Sequence, residues 1–158
     1  MSEMFLRPLA AEDGDFLLRL RNFPSVRKGF FSTAPISRGA HQIWFQQYLE
    51  DRSSYCFIAQ IKKNAEHFEP IGYCRFDNIG VSSFTVSIAV DPGFQNSGRG
   101  LEMLRASLVR LQAVVNGPIT VSAEILEHNE ASRALFQNAG FFRTDDSLSG
   151  RVYMKMEL

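Results

Sequence analysis

A run that reads as a strand, residues 84–90, is joined to a helical stripe of Leu101, Leu104, Leu108, Leu111 and Val115 by Asp91-Pro92-Gly93-Phe94-Gln95-Asn96-Ser97-Gly98-Arg99-Gly100. This junction constrains the chain more than any other feature. A strand that delivers the backbone through glycines into a helix lets the unpaired N–H groups of the first turn, with the positive end of the helix dipole, point at a closely approaching ligand. A pyrophosphate fits that geometry. Gly93 and Gly98 have P-loop spacing, but Arg99 stands where the phosphate-binding lysine belongs and Gly100 where the magnesium-binding hydroxyl belongs. The dinucleotide fingerprint fails too, because Gly98-Arg99-Gly100 is followed by Met103 in place of a third small residue, and the preceding strands form no βαβ unit. Neither an ATP nor an NAD site follows.

The flanking pattern fixes the element order. Residues 5–9 read as a short strand, and Phe16, Leu17 and Leu20 fall at helical spacing until about Asn22, where Pro24 is expected to stop the helix. Ser37 can cap a second helix, with Ala40, Trp44 and Tyr48 on one stripe and Phe45 and Leu49 on the next, ending near Asp51. Residues 55–61, 71–77 and 84–90 read as an antiparallel meander, with 62–67 as its first hairpin loop. After the long helix, Asn116-Gly117-Pro118 is a stop and 119–125 a strand. Asn129 can cap a helix carrying Ala131, Leu135 and Ala139, which Gly140 ends. Strands at 141–144 and 152–157 complete an order β-α-α-β-β-β-α-β-α-β-β. That is an α/β (α+β) chain with one mixed seven-stranded sheet flanked by about four helices, and one domain over residues 1–158.

Composition narrows the function classes. A chain of 158 residues, 45% hydrophobic, can bury a core without disulfides or structural metal. Seventeen basic and seventeen acidic residues cancel, so no net field gathers nucleic acid or an anionic membrane. Cys56 and Cys74 lie in apolar strand-like runs without CxxC spacing, which predicts buried, reduced thiols. No apolar run is long enough to cross a bilayer, and a soluble cytoplasmic protein is expected.

Gln95-Asn96-Ser97-Gly98-Arg99-Gly100 resembles the hallmark of the GNAT acyltransferases, Gln/Arg-x-x-Gly-x-Gly/Ala between a strand and a long helix. A second block, Asn129-Glu130-Ala131-Ser132 running on to Gly140-Phe141, is similar to that family's Asn-x-x-Ser/Ala helix. The resemblance covers nearly the whole chain and implies the GNAT fold, acetyl-CoA as cofactor and direct acetyl transfer to an amine. It implies that the strands ending near Val90 and Ile125 splay apart around the pantetheine arm, with a backbone N–H near Ile88 to Val90 stabilising the oxyanion. By the same resemblance the cofactor-binding residues are Ile88, Val90, Gln95, Asn96, Ser97, Gly98, Arg99, Gly100, Asn129, Ser132 and Phe136. Phe136 departs from the family, which often places a proton-donating tyrosine there. A phenyl ring can pack against pantetheine but donates nothing.

Two residues are candidate bases. Glu124 can take the amine's proton if its carboxylate is partly desolvated, or it can be an exposed strand residue, since its parity is opposite to that of Val121 and Ala123 and leaves its facing open. His41 can do proton work or be a helix-surface histidine. Asn129 has a structural task as N-cap beside any cofactor contact. On the acceptor side, Arg21-Asn22-x-x-x-Val26-Arg27 with His41-x-x-Trp44-Phe45 looks like the GNAT branch holding the RimJ/RimL ribosomal-protein acetyltransferases and the nucleotide-amino-sugar acetyltransferases of pseudaminic acid synthesis. That likeness implies a small-molecule amine acceptor, a nucleotide-linked amino sugar, met by Arg21, Asn22, Arg27 and Trp44. Arg21, Arg27 and Lys28 suit a diphosphate, and Trp44 or Phe30 a ring. A protein N-terminal amine is the rival acceptor, and a non-catalytic acyl-CoA-binding module the rival class. Neither nucleic acid nor membrane is expected as a partner, and a homodimer is an allowed assembly.

Overall fold

The computed structural model describes residues 2–144 and 150–158. Its elements are β1 (Met4–Pro8), α1 (Gly14–Asn22), α2 (Pro24–Arg27), α3 (Arg38–Glu50), β2 (Tyr55–Asn64), β3 (His67–Gly80), β4 (Ser83–Val90), α4 (Arg99–Val115), β5 (Thr120–Leu126), α5 (Glu130–Ala139), β6 (Phe142–Arg143) and β7 (Arg151–Glu157). Short 3-10 turns, Ala11–Asp13 and Pro92–Phe94, precede α1 and follow β4. One seven-stranded sheet runs β1-β2-β3-β4-β5-β7-β6, antiparallel everywhere except between β4 and β5. Order and sheet follow the sequence pattern, with one helix more than expected.

That helix adds to the reading of Pro24, which does stop α1 at Asn22. Proline forbids helical geometry in the residue before it, so Phe23 swings to ψ 131° and α1 ends. The ring is nonetheless suited to a first helical position, where no N–H is required, and α2 starts on it. The expected hairpin loop at 62–67 is also shorter. β2 continues through Asn64, which pairs with His67, and the Asn64 side chain accepts from the Glu66 N–H at 3.0 Å to close the turn. Polar residues project from this arm because both its faces are wet, while the backbone ladder still satisfies itself.

Two cores sandwich the sheet. On one face, Phe57, Ala59, Phe76, Phe84, Val121, Ala123 and Ile125 pack against Met103, Leu104, Leu108 and Leu111 of α4 and Phe136 of α5. On the other, Cys56, Ile58, Tyr73 and Ala89 pack against Phe16, Leu17 and Leu20 of α1 and Phe45 of α3. Met103 thus takes the core place expected of Leu101, which is only half-buried. At Gly72 a Cβ would come within 2.6 Å of the Ala89 carbonyl oxygen, so the close approach of β3 to β4 beneath α4 requires glycine. Both cysteines are buried and free, as the sequence predicts.

Candidate active site

The ladder between β4 and β5 lasts three residue pairs, Ser83 to Thr120, Phe84 to Val121 and Thr85 to Ser122. Beyond them β4 keeps to β3 as far as Val90 and β5 keeps to β7 as far as Leu126, so the two inner edges part. Parted edges carry backbone N–H and C=O groups with no ladder partner, which an extended polar ligand can use. The turn after β4 continues this opening. Asp91 accepts from the Gly93 N–H at 2.9 Å, and the Gln95 carboxamide donates to the Val90 carbonyl at 3.1 Å. Asn96 and Gly98 then take left-handed backbone, φ 59° and 81°, and α4 begins with no side chain capping it. By contrast, Ser37 caps α3 and Asn129 caps α5. The first-turn N–H groups of α4 are therefore left for an anion.

A cleft of about 880 Å³ joins these features. Ile88 and Val90 supply the strand side, and Gln95, Asn96, Gly98, Gly100 and Leu101 the turn. Asn129, Ser132 and Leu135 come from α5, and Lys28, Gly29 and Phe30 from the segment after α2. An 880 Å³ cleft is large enough for a cofactor.

A second cavity, about 330 Å³, lies between α1, α3 and β3 and is lined by Leu17, Arg21, Ile36, Ala40, His41, Trp44, Tyr73 and Arg75. Two guanidiniums face it and no carboxylate does. The Arg21 guanidinium lies 3.4 Å over the centre of the Phe30 ring, so this stack is the wall shared with the larger cleft. Burial lowers the Arg21 pKa, with nearby Arg75 adding to the effect and Tyr73 opposing it. Burial likewise raises the Tyr73 phenol, against the pull of Arg75 and Arg21. Arg75 rests 5.0 Å from the Trp44 ring centre. Its Nε is 3.1 Å from an Asp77 carboxylate oxygen, but the pair is misaligned and makes no hydrogen bond.

Eight of the residues expected at the cofactor line the cleft: Ile88, Val90, Gln95, Asn96, Gly98, Gly100, Asn129 and Ser132. Three are placed otherwise. The Arg99 guanidinium is buried on Glu102 at 2.9 Å and on the Ser2 carbonyl, tying the N-terminal segment to α4, so only its backbone belongs to the turn. Ser97 donates its hydroxyl back to the Phe94 carbonyl at 2.5 Å. Phe136 is 4% exposed and packs edge-on against Phe141 at 5.0 Å, which makes it a core residue and corrects the expected packing on pantetheine.

On the acceptor side, Arg21 and Trp44 line the smaller cavity, while Arg27 lines neither. Both ends of the Asn22 carboxamide are taken by the Ile36 backbone, at 2.9 and 2.8 Å, so Asn22 is a loop anchor and not a substrate contact. His41, left open between proton work and the helix surface, is buried. Its Nε2 lies 2.8 Å from the Gly14 carbonyl, and since a carbonyl only accepts, the proton sits on Nε2 and leaves Nδ1 as the acceptor. Glu124 faces away from α4 and α5, and its carboxylate accepts from Arg151 at 2.5 Å and the Tyr153 hydroxyl at 3.1 Å. With a side chain 34% exposed and an ion pair, it lacks the desolvation expected of a tuned base. Sequence reasoning missed Arg75 in this cavity and gave Lys28 to the acceptor's diphosphate, whereas Lys28 lines the cofactor cleft. The signal for Arg75 was there: one guanidinium inside the otherwise apolar or small Ile71-Gly72-Tyr73-Cys74-Arg75-Phe76.

A family described as acetyltransferase (GNAT) domain matches residues 3–142. No curated protein matches the chain. Among solved structures, a domain from Methanocaldococcus jannaschii DSM 2661 is 18% identical over all of both chains, with a TM-score of 0.84. Spermidine N-acetyltransferase from Vibrio cholerae, solved with CoA and spermine, is 16% identical over 98% of this chain and 94% of its own, TM-score 0.83. A protein from Salmonella typhimurium solved with its cofactor acetyl-CoA is 17% identical over 99% and 95%, TM-score 0.76. At these identities the likeness is one of fold.

Proposed function

The chain belongs to the GNAT acetyltransferase family, whose donor is acetyl-CoA, and from that premise we propose that residues 1–158 act as one N-acetyltransferase domain for the primary amine of a small molecule, a nucleotide-linked amino sugar. The observation that carries the reading is the parting of β4 from β5 beside an uncapped helix start. Those groups fit the cofactor: N–H groups of Gly98 to Gly100 for the pyrophosphate, the edges of residues 86–90 and 123–126 for the amide-bearing arm, and Asn129 and Ser132 on the far wall. When bound, acetyl-CoA supplies an acetyl group activated as a thioester.

The chain's own residues then have three tasks. A backbone N–H on the parted edge of Ile88 to Val90 donates to the carbonyl oxygen as that oxygen gains negative charge. Glu124, on the acceptor-facing side of β5 two residues past the last β4 pair, takes the proton the amine must lose, by its position and as an exposed, ion-paired carboxylate rather than a desolvated one. Arg151 and Tyr153 donate to that carboxylate and fix its orientation. His41 holds α3 to α1 through Gly14 and lines the acceptor cavity. As an ammonium acceptor becomes an amide and the thioester becomes a thiol, one proton is released overall, so the departing sulfur can be protonated from water. No side chain needs to replace the tyrosine absent at Phe136.

The acceptor assignment rests on Arg21-Asn22-x-x-x-Val26-Arg27 and His41-x-x-Trp44-Phe45, and on a cavity lined by guanidiniums. A polyamine or a cationic peptide end would meet like charge there. The test is acetyl-dependent thiol release with UDP-linked 4-amino sugars, polyamines and peptide N-termini offered in parallel. Turnover concentrated on the sugar nucleotides is expected. Preference for peptides would overturn the acceptor, and CoA binding without release to any amine would overturn the enzyme.

A further inference from the structure

We propose that Arg21 and Arg75 together form an oxyanion subsite in the 330 Å³ cavity, and that the acceptor is held there by a phosphate group. This rests on the acetyltransferase reading and says which residues hold the acceptor. The cavity walls bring two guanidiniums and one imidazole to a single space without a carboxylate. Among the described residues Arg21 makes no ion pair, and Arg75 has only the misaligned Asp77, which lies outside the cavity lining. A half-buried guanidinium with no ion pair, such as Arg21, is costly unless something supplies a counter-charge, while Arg75 has Asp77 as a poorly aligned counter-ion at 3.1 Å.

The stacking adds direction. A guanidinium lying flat on a phenyl ring spends its face there and keeps its in-plane N–H donors for another partner. Arg21 is so placed on Phe30, with the Tyr73 hydroxyl oxygen near enough to accept from one of its donors, and Arg75 is set against Trp44. Two forks around one space suit a tetrahedral oxyanion that can accept from both. The Tyr73 hydroxyl, which burial keeps protonated, belongs to the same wall and can donate as well. The cavity is at the small end of ligand sites, so it takes the phosphate and a ring rather than an entire nucleotide. Phe30 is shared with the cofactor cleft, so an anion held by Arg21 is anchored at the partition and the rest of the acceptor extends toward the transferred group.

The test uses protein saturated with CoA, so that the turn at Gly98 is filled and any second anion must bind elsewhere. UDP and inorganic pyrophosphate are titrated in by calorimetry. One-to-one binding that weakens with salt is expected, falling at least about tenfold in Arg21→Met and in Arg75→Met with CoA affinity unchanged. Arg21→Lys and Arg75→Lys keep the charge and lose the fork; an intermediate loss from these milder changes supports the subsite even if a methionine variant folds poorly. Equal affinity for both probes assigns the subsite to phosphate alone, and tighter UDP adds the base as a second contact. The proposal is overturned if neither probe binds the CoA-loaded protein, if all four variants bind as the parent does, or if spermidine binds more tightly than UDP. Failure of the parent to bind CoA would instead overturn the acetyltransferase reading.

Discussion

A single hydroxyl separates Phe136 from the tyrosine often found at its place in this family, and burial decides what that difference means. The ring is closed into the α5 side of the core and wedged on Phe141. Phe136→Tyr is expected to add a buried hydroxyl without a partner and to lower stability by about 1–3 kcal/mol, with kcat unchanged. Thermal unfolding and turnover measured together check this, and a gain in kcat would put the ring back at the thiol. Glu124 is the opposite case, an exposed carboxylate beside the strand parting. If it receives the amine's proton, Glu124→Gln should depress turnover most at low pH, where the amine is protonated, and least at high pH, where the amine is already neutral. A pH–rate profile parallel to that of the parent would dismiss the role.

The turn from β4 into α4 works as an element because its parts are backbone. Gly98 at φ 81° has nothing within 4 Å of a notional Cβ, so a side chain there meets no protein atom. It meets instead the backbone's own geometry and the space offered to the phosphate. Gly98→Val should strain the left-handed position by about 1–2 kcal/mol and weaken CoA binding at least about tenfold. Calorimetry with CoA reads the second effect separately from melting, and unchanged affinity would remove the pyrophosphate from this turn. The hairpin arm shows the limit of reading elements from composition. Its Lys62-Lys63-Asn64 stretch looks like loop because it is polar on both faces, yet the ladder with β3 holds it as strand.

For the whole molecule, two buried thiols and two tyrosines shielded from water make a statement about alkali. Burial pushes the Cys56 thiol up to about 12 and raises Cys74, Tyr48 and Tyr73 as well. In each case the folded chain holds the proton more tightly than the unfolded chain. The resulting stability is complete below the unfolded thiol range near pH 8.5 and falls as pH rises toward the folded values, by roughly 1.4 kcal/mol per pH unit for each group ionised only when unfolded. Urea unfolding between pH 7 and 11 under reducing conditions should show that decline, and both thiols should resist thiol reagents until the chain unfolds. The strand and helix order and the glycine turn into α4 were legible in the sequence. Each depends on contiguous residues whose periodicity, glycines and caps act locally. The cavity between α1, α3 and β3 was not. Arg21, His41, Trp44, Tyr73 and Arg75 come from two helices and a strand, and only the packing of α1 and α3 on the sheet brings them together. The same packing gave Glu124 its outward face, turned His41 inward and sealed Phe136 in the core, because which side of a strand or helix is buried depends on what is laid against it. The chain's local order therefore determined its fold and the glycine turn into α4, and tertiary contact alone decided which charges stand together in the cavity between α1, α3 and β3.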